Sequence, residues 1–352
     1  MAQPNDIFVD PSIAGDSGAG TSGDPYGDLE WALEQTTPNS NGDAFNIKAG
    51  TDEVVEFALD IFTDYGTPTE TAPLVFQGYT TAARDGGIGG ISGGGSVSVV
   101  SNGSLNYTQF IDLHCHNCGS NTILATNNEC CLIRCELNNA ADGAHFDSDS
   151  VFIGNYVHDI SGVGIAGRNN CHYSFNFMEN GTKKFAKALR TEIGTAFFYK
   201  NIVWLRGAAN ASIGIAGGAP STILNNSIWC NAGTGAGIWM ESNADEMGSV
   251  LLNNLVEGFS GTGGVGIDLG EFSDFVSTVN GANSVENCTT DFIAAAAVTW
   301  DFMNKITPST ATNESLGASP FADVSETAKD FSPVDTGSVK EGSLPDEFGL
   351  GQ

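Results

Sequence analysis

Thr222-Ile-Leu-Asn-Asn-Ser-Ile228 decides the fold, because the chain repeats it. Val250-Leu-Leu-Asn-Asn-Leu-Val256 follows it, and four variants precede it: Phe197-Phe-Tyr-Lys-Asn-Ile-Val203, His172-Tyr-Ser-Phe-Asn-Phe-Met178, Val151-Phe-Ile-Gly-Asn-Tyr-Val157 and Cys131-Leu-Ile-Arg-Cys-Glu-Leu137. Aligned, Cys135, Asn155, Asn176, Asn201, Asn226 and Asn254 form one column at spacings of 20, 21, 25, 25 and 28 residues. Ile111-Asp-Leu-His-Cys115 extends it backwards by another 20, which puts Cys115 in the column as the stacked neighbour of Cys135, within disulfide reach if oxidised. A period of this size marks a solenoid, in which each unit completes its core against the next.

Two residues past the column an apolar residue always stands: Leu137, Val157, Met178, Val203, Ile228 and Val256. A second glycine-bounded segment follows in most units, as in Gly162-Val-Gly-Ile165, Ser212-Ile-Gly-Ile215, Ala236-Gly-Ile-Trp239 and Val265-Gly-Ile267. These segments are strand-length and leave no room for a helix between most of them. Strands so close in sequence stack in parallel only if the chain winds as a coil, with each strand about 4.8 Å from its counterpart in the next turn. The crossover rule makes that coil right-handed. The Asn column suits a bend at which side-chain amides bond along the stack and satisfy turn backbone.

The expected fold is all-β: a right-handed parallel β-helix solenoid with a short N-terminal capping helix and an extended C-terminal tail. Residues 1–43 form the opening segment and capping helix, 44–292 the β-helix, and 293–352 a closing segment and tail. The helix is expected over Tyr26–Glu34, capped by Asp24-Pro25. Further strands are expected at Phe45–Lys48, Leu74–Phe76 and Val97–Val100. The Gly-rich stretch Asp85–Gly95 reads as a loop without the Lys of a phosphate cradle.

The repeat resembles the right-handed parallel β-helix family called pectin-lyase-like, over roughly residues 44–292. Ile7-Phe-Val-Asp-Pro11, the helix and Phe76-Gln-Gly-Tyr79 resemble the opening module common there. Ser319-Pro-Phe-Ala-Asp323 and Asp330-Phe-Ser-Pro333, with Ser343-Leu-Pro345, resemble tails of phage-associated β-helix proteins. Neither the clustered aspartates of polygalacturonases nor the Arg, Lys and calcium-site acids of pectate lyases are present.

With 13 basic against 42 acidic residues, the formal charge is −29. Such a surface repels nucleic acid and anionic membrane, so neither is an expected partner. Met1-Ala-Gln-Pro-Asn-Asp6 has no basic start or apolar run, which predicts no signal peptide, synthesis in a host cytoplasm and residence on a virion surface. The eight cysteines then read as buried thiols. His114-Cys-His-Asn-Cys118 is not a clean zinc motif, since strand alternation splits its ligands between two faces.

Candidate sites lie around the column. His158, Asp159 and Glu179 are the weak catalytic candidates, with Asp147 and Asp149 as a further carboxylate pair; His158 and Glu179 read as neighbours on adjacent coils. Tyr156, Phe177, Trp204 and Trp229 offer rings to a carbohydrate or a partner. Alternation places Leu132, Phe152, Tyr173, Phe198, Ile223 and Leu251, three before the column, on the outside as an apolar assembly strip. Lys183, Lys184, Lys187 and Arg190 make a basic docking spot. No cofactor is expected, although Asp10, Asp16, Asp24 and Asp28, and Asp142 with Asp147 and Asp149, are candidate calcium ligands.

These features predict a non-enzymatic virion structural protein (capsid decoration, spike or tail component) that assembles with other virion proteins or with itself, for instance as a trimer. The alternatives are a polysaccharide-active depolymerase and a carbohydrate-binding adhesion module, either of which would meet host surface polysaccharide.

Overall fold

The computed structural model describes residues 4–56, 58–59, 65–101, 105–206, 211–218, 220–241, 249–269 and 283–293, and the backbone of 279–281, 313–315, 321–323 and 330–333. Its strands form three long all-parallel sheets, the architecture of a parallel β-helix, with one short helix. Packing divides the chain into two compact units, Met1–Ser161 and Gly162–Gln352.

In the first unit, Asn5–Val9 pairs with Asp43–Lys48, and the first sheet continues through Leu74–Tyr79, Thr108–Ile111, Cys131–Ile133 and Val151–Ile153. The second sheet comprises Asp52–Val54, Gly89–Ser92, Leu113–His116, Glu136–Ala140 and Tyr156–Ile160. The third holds Val100–Ser101, Thr122–Ala125 and Asp142–His145. Part of the stretch expected as the loop 85–95 is thus a buried strand. The strand expected at Val97–Val100 begins only at Val100.

The helix is Leu29–Gln35, and its cap is Asp28, whose Oδ1 accepts from the Trp31 amide at 2.7 Å. Asp24 does not cap it because Tyr26 is still paired with the first strand: its N–H reaches the Phe8 carbonyl at 2.9 Å. Leu29, Ala32 and Leu33 are buried against the first turns of the coil. Asp10 is held by Lys48 and Ser12 and Asp28 caps the helix, so two of the four aspartates expected as a calcium loop serve separate local roles.

The six residues expected to form an outer assembly strip are core. Leu132, Phe152, Tyr173, Phe198, Ile223 and Leu251 are fully buried. In the first unit Phe45, Phe76 and Phe110 precede Leu132 and Phe152 in the same register, with Phe45–Phe76 and Phe76–Phe110 centroids 5.7 and 5.5 Å apart. In the second, the Tyr173 and Phe198 rings stack at 4.5 Å. The cause is a corner just before the column. Arg134, Gly154, Phe175, Lys200, Asn225 and Asn253 all have φ between 52° and 67°. One left-handed residue turns the chain between the first and second sheets. Alternation counted through it therefore comes out inverted.

The column points inward at this corner. In the first unit the Asn155 carbonyl accepts from the Cys135 amide at 2.9 Å. In the second, Asn176, Asn201, Asn226, Asn254 and also Asn283 stack as a buried amide ladder. Each of the first four gives its backbone N–H and its Nδ2 to the next carbonyl, at 2.8–3.1 Å. Cys115 is not in the column. It pairs in register with Leu137, because the corner of its turn is Asp112, and Leu113 stands opposite Cys135. No disulfide is present among the described residues.

The second unit repeats the pattern. Its first sheet runs Cys171–Ser174, Ala196–Tyr199, Ser221–Leu224, Val250–Leu252 and Val279–Gly281. The second runs Phe177–Glu179, Ile202–Leu205, Ser227–Cys230, Leu255–Glu257 and Asn283–Glu286. The third runs Val163–Gly167, Lys187–Thr191, Ile213–Gly217, Ala236–Met240, Val265–Asp268 and Thr290–Ile293. Its glycines lie against the facing sheet: a Cβ on Gly237 or Gly266 would fall 2.3 Å from Val256 or Val285. The expected closing segment and tail lie largely outside the described residues. Within them, Asn313–Ser315 pairs with the strand at 283–286, and Phe321–Asp323 pairs antiparallel with Asp330–Pro333.

Candidate functional site

Three neighbouring strands of the second sheet in the first unit place six side chains in two rows. Glu136 lies opposite His114 and Tyr156, and Asn138 lies opposite His116 and His158. Cys115, Leu137 and Val157 between them are buried, so alternation sends both rows to the outer face. All six are partly exposed, and they include three of the five histidines of the chain.

His158 sits between two carboxylates: its Nε2 is 3.0 Å from Glu136 Oε1 and its Nδ1 3.0 Å from Asp159 Oδ2. Adjacent residues of a strand normally face opposite ways. Asp159 shares a face with His158 because its backbone is left-handed, φ 53°, which Asp tolerates better than most residues. Partial burial opposes charge on His158, but the hydrogen bonds and field of Glu136 and Asp159 outweigh it and raise its pKa. The His158 hydrogen bond in turn holds Glu136 below the usual carboxylate range. His114 goes the other way, pushed down chiefly by burial.

The rings are layered. Tyr156 stacks on His158 at 4.6 Å and His114 on His116 at 4.3 Å. The Asn138 amide nitrogen lies 3.0 Å from His114 Nε2, to which it donates, and 3.1 Å from His158 Nε2. Asp52 Oδ2 reaches His116 Nε2 at 3.0 Å. Chemically, the cluster holds one imidazole between two carboxylates and a second, stacked imidazole pair beside it.

The other expected site residues are distributed differently. Glu179, in the second unit, is 2% exposed and pairs with Arg206, whose guanidinium lies 4.8 Å above the Trp204 ring. Trp204 is fully buried and Phe177 nearly so, which withdraws both as stacking platforms; Trp229 is partly exposed, 6.2 Å from Trp204. The basic spot is neutralised at its centre. Lys187 and Arg190 both bind Glu241, and Arg190 also binds Glu192. Lys187 further lies 4.7 Å over the Trp239 ring. Lys184 is exposed and Lys183 partly so. The segment 187–191 is the third-sheet strand of its turn, not a helix. Among the described residues, the carboxylates at 10, 16, 24 and 28 and at 142, 147 and 149 form no cluster tight enough to share a cation, whereas Asp52, His114 and His116 do.

Glu136, Asn138 and Asp52 escaped the sequence reading. The first two carried a signal, since His-x-His, Glu-x-Asn and Tyr-x-His recur at matching places in successive turns. No protein-family model matches the chain, and no curated protein matches it in sequence.

Proposed function

We propose that this outer face binds a neutral polysaccharide, and that the chain is a carbohydrate-recognition β-helix. The observation that carries the reading is the two-row register itself. It lays planar rings and hydrogen-bonding side chains side by side on a flat, half-exposed sheet, the chemistry that recognises sugar faces and hydroxyls. The resemblance to pectin-lyase-like β-helices supports a saccharide ligand, and the charge of −29 disfavours polyanionic ones. Glycan binding replaces virion assembly as the leading reading because the apolar strip that supported assembly belongs to the core.

One observation favours acid–base chemistry on the bound glycan as a second reading: His158, between Glu136 and Asp159, holds a proton next to an acceptor within hydrogen-bond reach. Both readings are tested with immobilised neutral polysaccharides in the presence of EDTA, alongside release of new sugar ends. Binding is expected, and Tyr156→Ala should weaken it by about tenfold. Turnover abolished by His158→Gln with binding retained would select the enzymatic form. Failure of the chain to bind any neutral polysaccharide, or full affinity in Tyr156→Ala, refutes the recognition reading.

A further inference from the structure

His114 and His116 stand two apart on the strand Leu113–His116, so both imidazoles leave the same face of the sheet. The carboxylate that meets His116 comes from two strands away. Asp52 pairs with Gly90, and Gly90 with His114, so the three lie in one row across the sheet. Two strand spacings are about 9.6 Å, too far for an Asp to reach over an ordinary side chain. The middle position permits it only because it is glycine: a Cβ on Gly90 would fall 1.9 Å from Asp52 Oδ1. The carboxylate therefore lies across an emptied slot and meets His116 Nε2 at 3.0 Å, and the donor atoms of all three residues fall within 4.8 Å of one another.

We propose that Asp52, His114 and His116 form a site for a divalent transition metal of the zinc, nickel and copper class. Donors sharing one such ion at bonds of about 2.1 Å stand about 3.0–3.4 Å apart. The Asp52–His116 pair is already at that separation. The Asp52 side chain is exposed (46%) and that of His114 partly so (30%), and sharing an ion would draw His114 away from its contact with Asn138. Two imidazoles with one carboxylate select these ions over calcium or magnesium, which require mostly oxygen. Three protein ligands leave further coordination positions open to solvent on the outer face, the arrangement of a reactive site rather than a structural one. The buried thiols take no part: Cys115 points to the opposite side of the strand. The assignment is independent of the glycan reading.

The test titrates the full chain with Ni²⁺ alone by calorimetry and with Co²⁺ alone by absorption, without saccharide. One equivalent is expected to bind, and the cobalt spectrum should lack a thiolate charge-transfer band. His114→Ala and His116→Ala should each weaken binding by about tenfold or more. Gly90→Ala, which removes no donor, should do the same by displacing Asp52, but should have no further effect in an Asp52→Ala background. Tyr156→Ala should bind metal as the parent does, and unchanged circular dichroism checks that every variant is folded. Absence of saturable binding, equal binding by the His114→Ala/His116→Ala double variant, an undiminished affinity in Gly90→Ala, or a thiolate band would each overturn the proposal.

Discussion

Asn201→Leu removes the middle of the amide ladder while keeping the branched shape and the number of side-chain heavy atoms. In the wild type the Asn201 carbonyl accepts from the Asn176 backbone N–H at 3.1 Å and from Asn176 Nδ2 at 2.9 Å. Its own Nδ2 donates to the Tyr173 carbonyl at 3.0 Å and to Asn226 Oδ1 at 2.9 Å. Leucine makes none of these bonds. Asn226 Oδ1 keeps the Asn201 backbone donor, so the backbone groups that lose this bond are the Asn176 N–H and the Tyr173 carbonyl, and Asn176 Nδ2 loses one acceptor, in a region where Asn176, Asn201 and Asn226 are all fully buried. Each of these two backbone groups costs about 1–3 kcal/mol if left buried without a partner, and the added apolar surface returns about 1 kcal/mol, so the net loss is about 1–5 kcal/mol. Urea denaturation read by circular dichroism should show a lower midpoint. Native-state hydrogen exchange should show the Asn176 amide, which leans on the deleted carbonyl, exchanging far faster than in the parent. Because repeat arrays depart from two-state unfolding, exchange is the sharper assay. An unchanged midpoint together with a protected Asn176 amide would refute the ladder's structural role.

Glu53 is buried beneath the capping helix, and burial, with the field of Asp28, pushes its pKa up to about 7. A raised carboxylate contributes stability that is full below the unfolded pKa and lost as pH rises through about 7. Glu53→Gln, which cannot ionise, should therefore stabilise the fold near pH 8 by up to about 3 kcal/mol and be close to neutral near pH 4, as read by thermal melts across pH. For His158 the raised pKa means stability present below the ordinary imidazole value and lost as pH climbs through the raised one, while the lowered Glu136 loses its contribution as pH falls through its own. His158→Gln should flatten the alkaline side of that profile, and a parallel decline in both proteins would refute the pairing. Burial pushes the thiols of Cys130 and Cys135 up to about 11 and about 12, so a thiol reagent at neutral pH should leave them unmodified until the chain unfolds. Rapid labelling of either in the native protein would contradict their placement.

The coil was legible because a recurring Asn marks the same place in the five turns from Asn155 to Asn254. The facing of the flanking residues was not. Alternation holds within a strand, but it is reset by a left-handed corner, and nothing about Arg134, Phe175 or Lys200 as residue types announces positive φ. Phe152, Tyr173 and Phe198 therefore read as surface when they are fully buried. The same corner, falling at Asp112, displaced Cys115 by two places. At the candidate site His158 and Tyr156 could be read from the repeat. Asp52 could not, since it arrives from a three-residue strand 64 positions before His116, and its role depends on the missing side chain of Gly90.

Those corners also govern how the molecule can change over generations. In the five turns from Asn155 to Asn254 the phase is set afresh at a left-handed residue followed by an inward amide, so an insertion or deletion disturbs alternation only as far as the next corner. Successive amides bond equally well whether 25 residues separate them, as between Asn201 and Asn226, or 28, as between Asn226 and Asn254. The surplus residues leave through connections beyond the paired strands. Copying errors in length are thus contained within a single turn, and the loops can diversify while the frame beneath them stays in register.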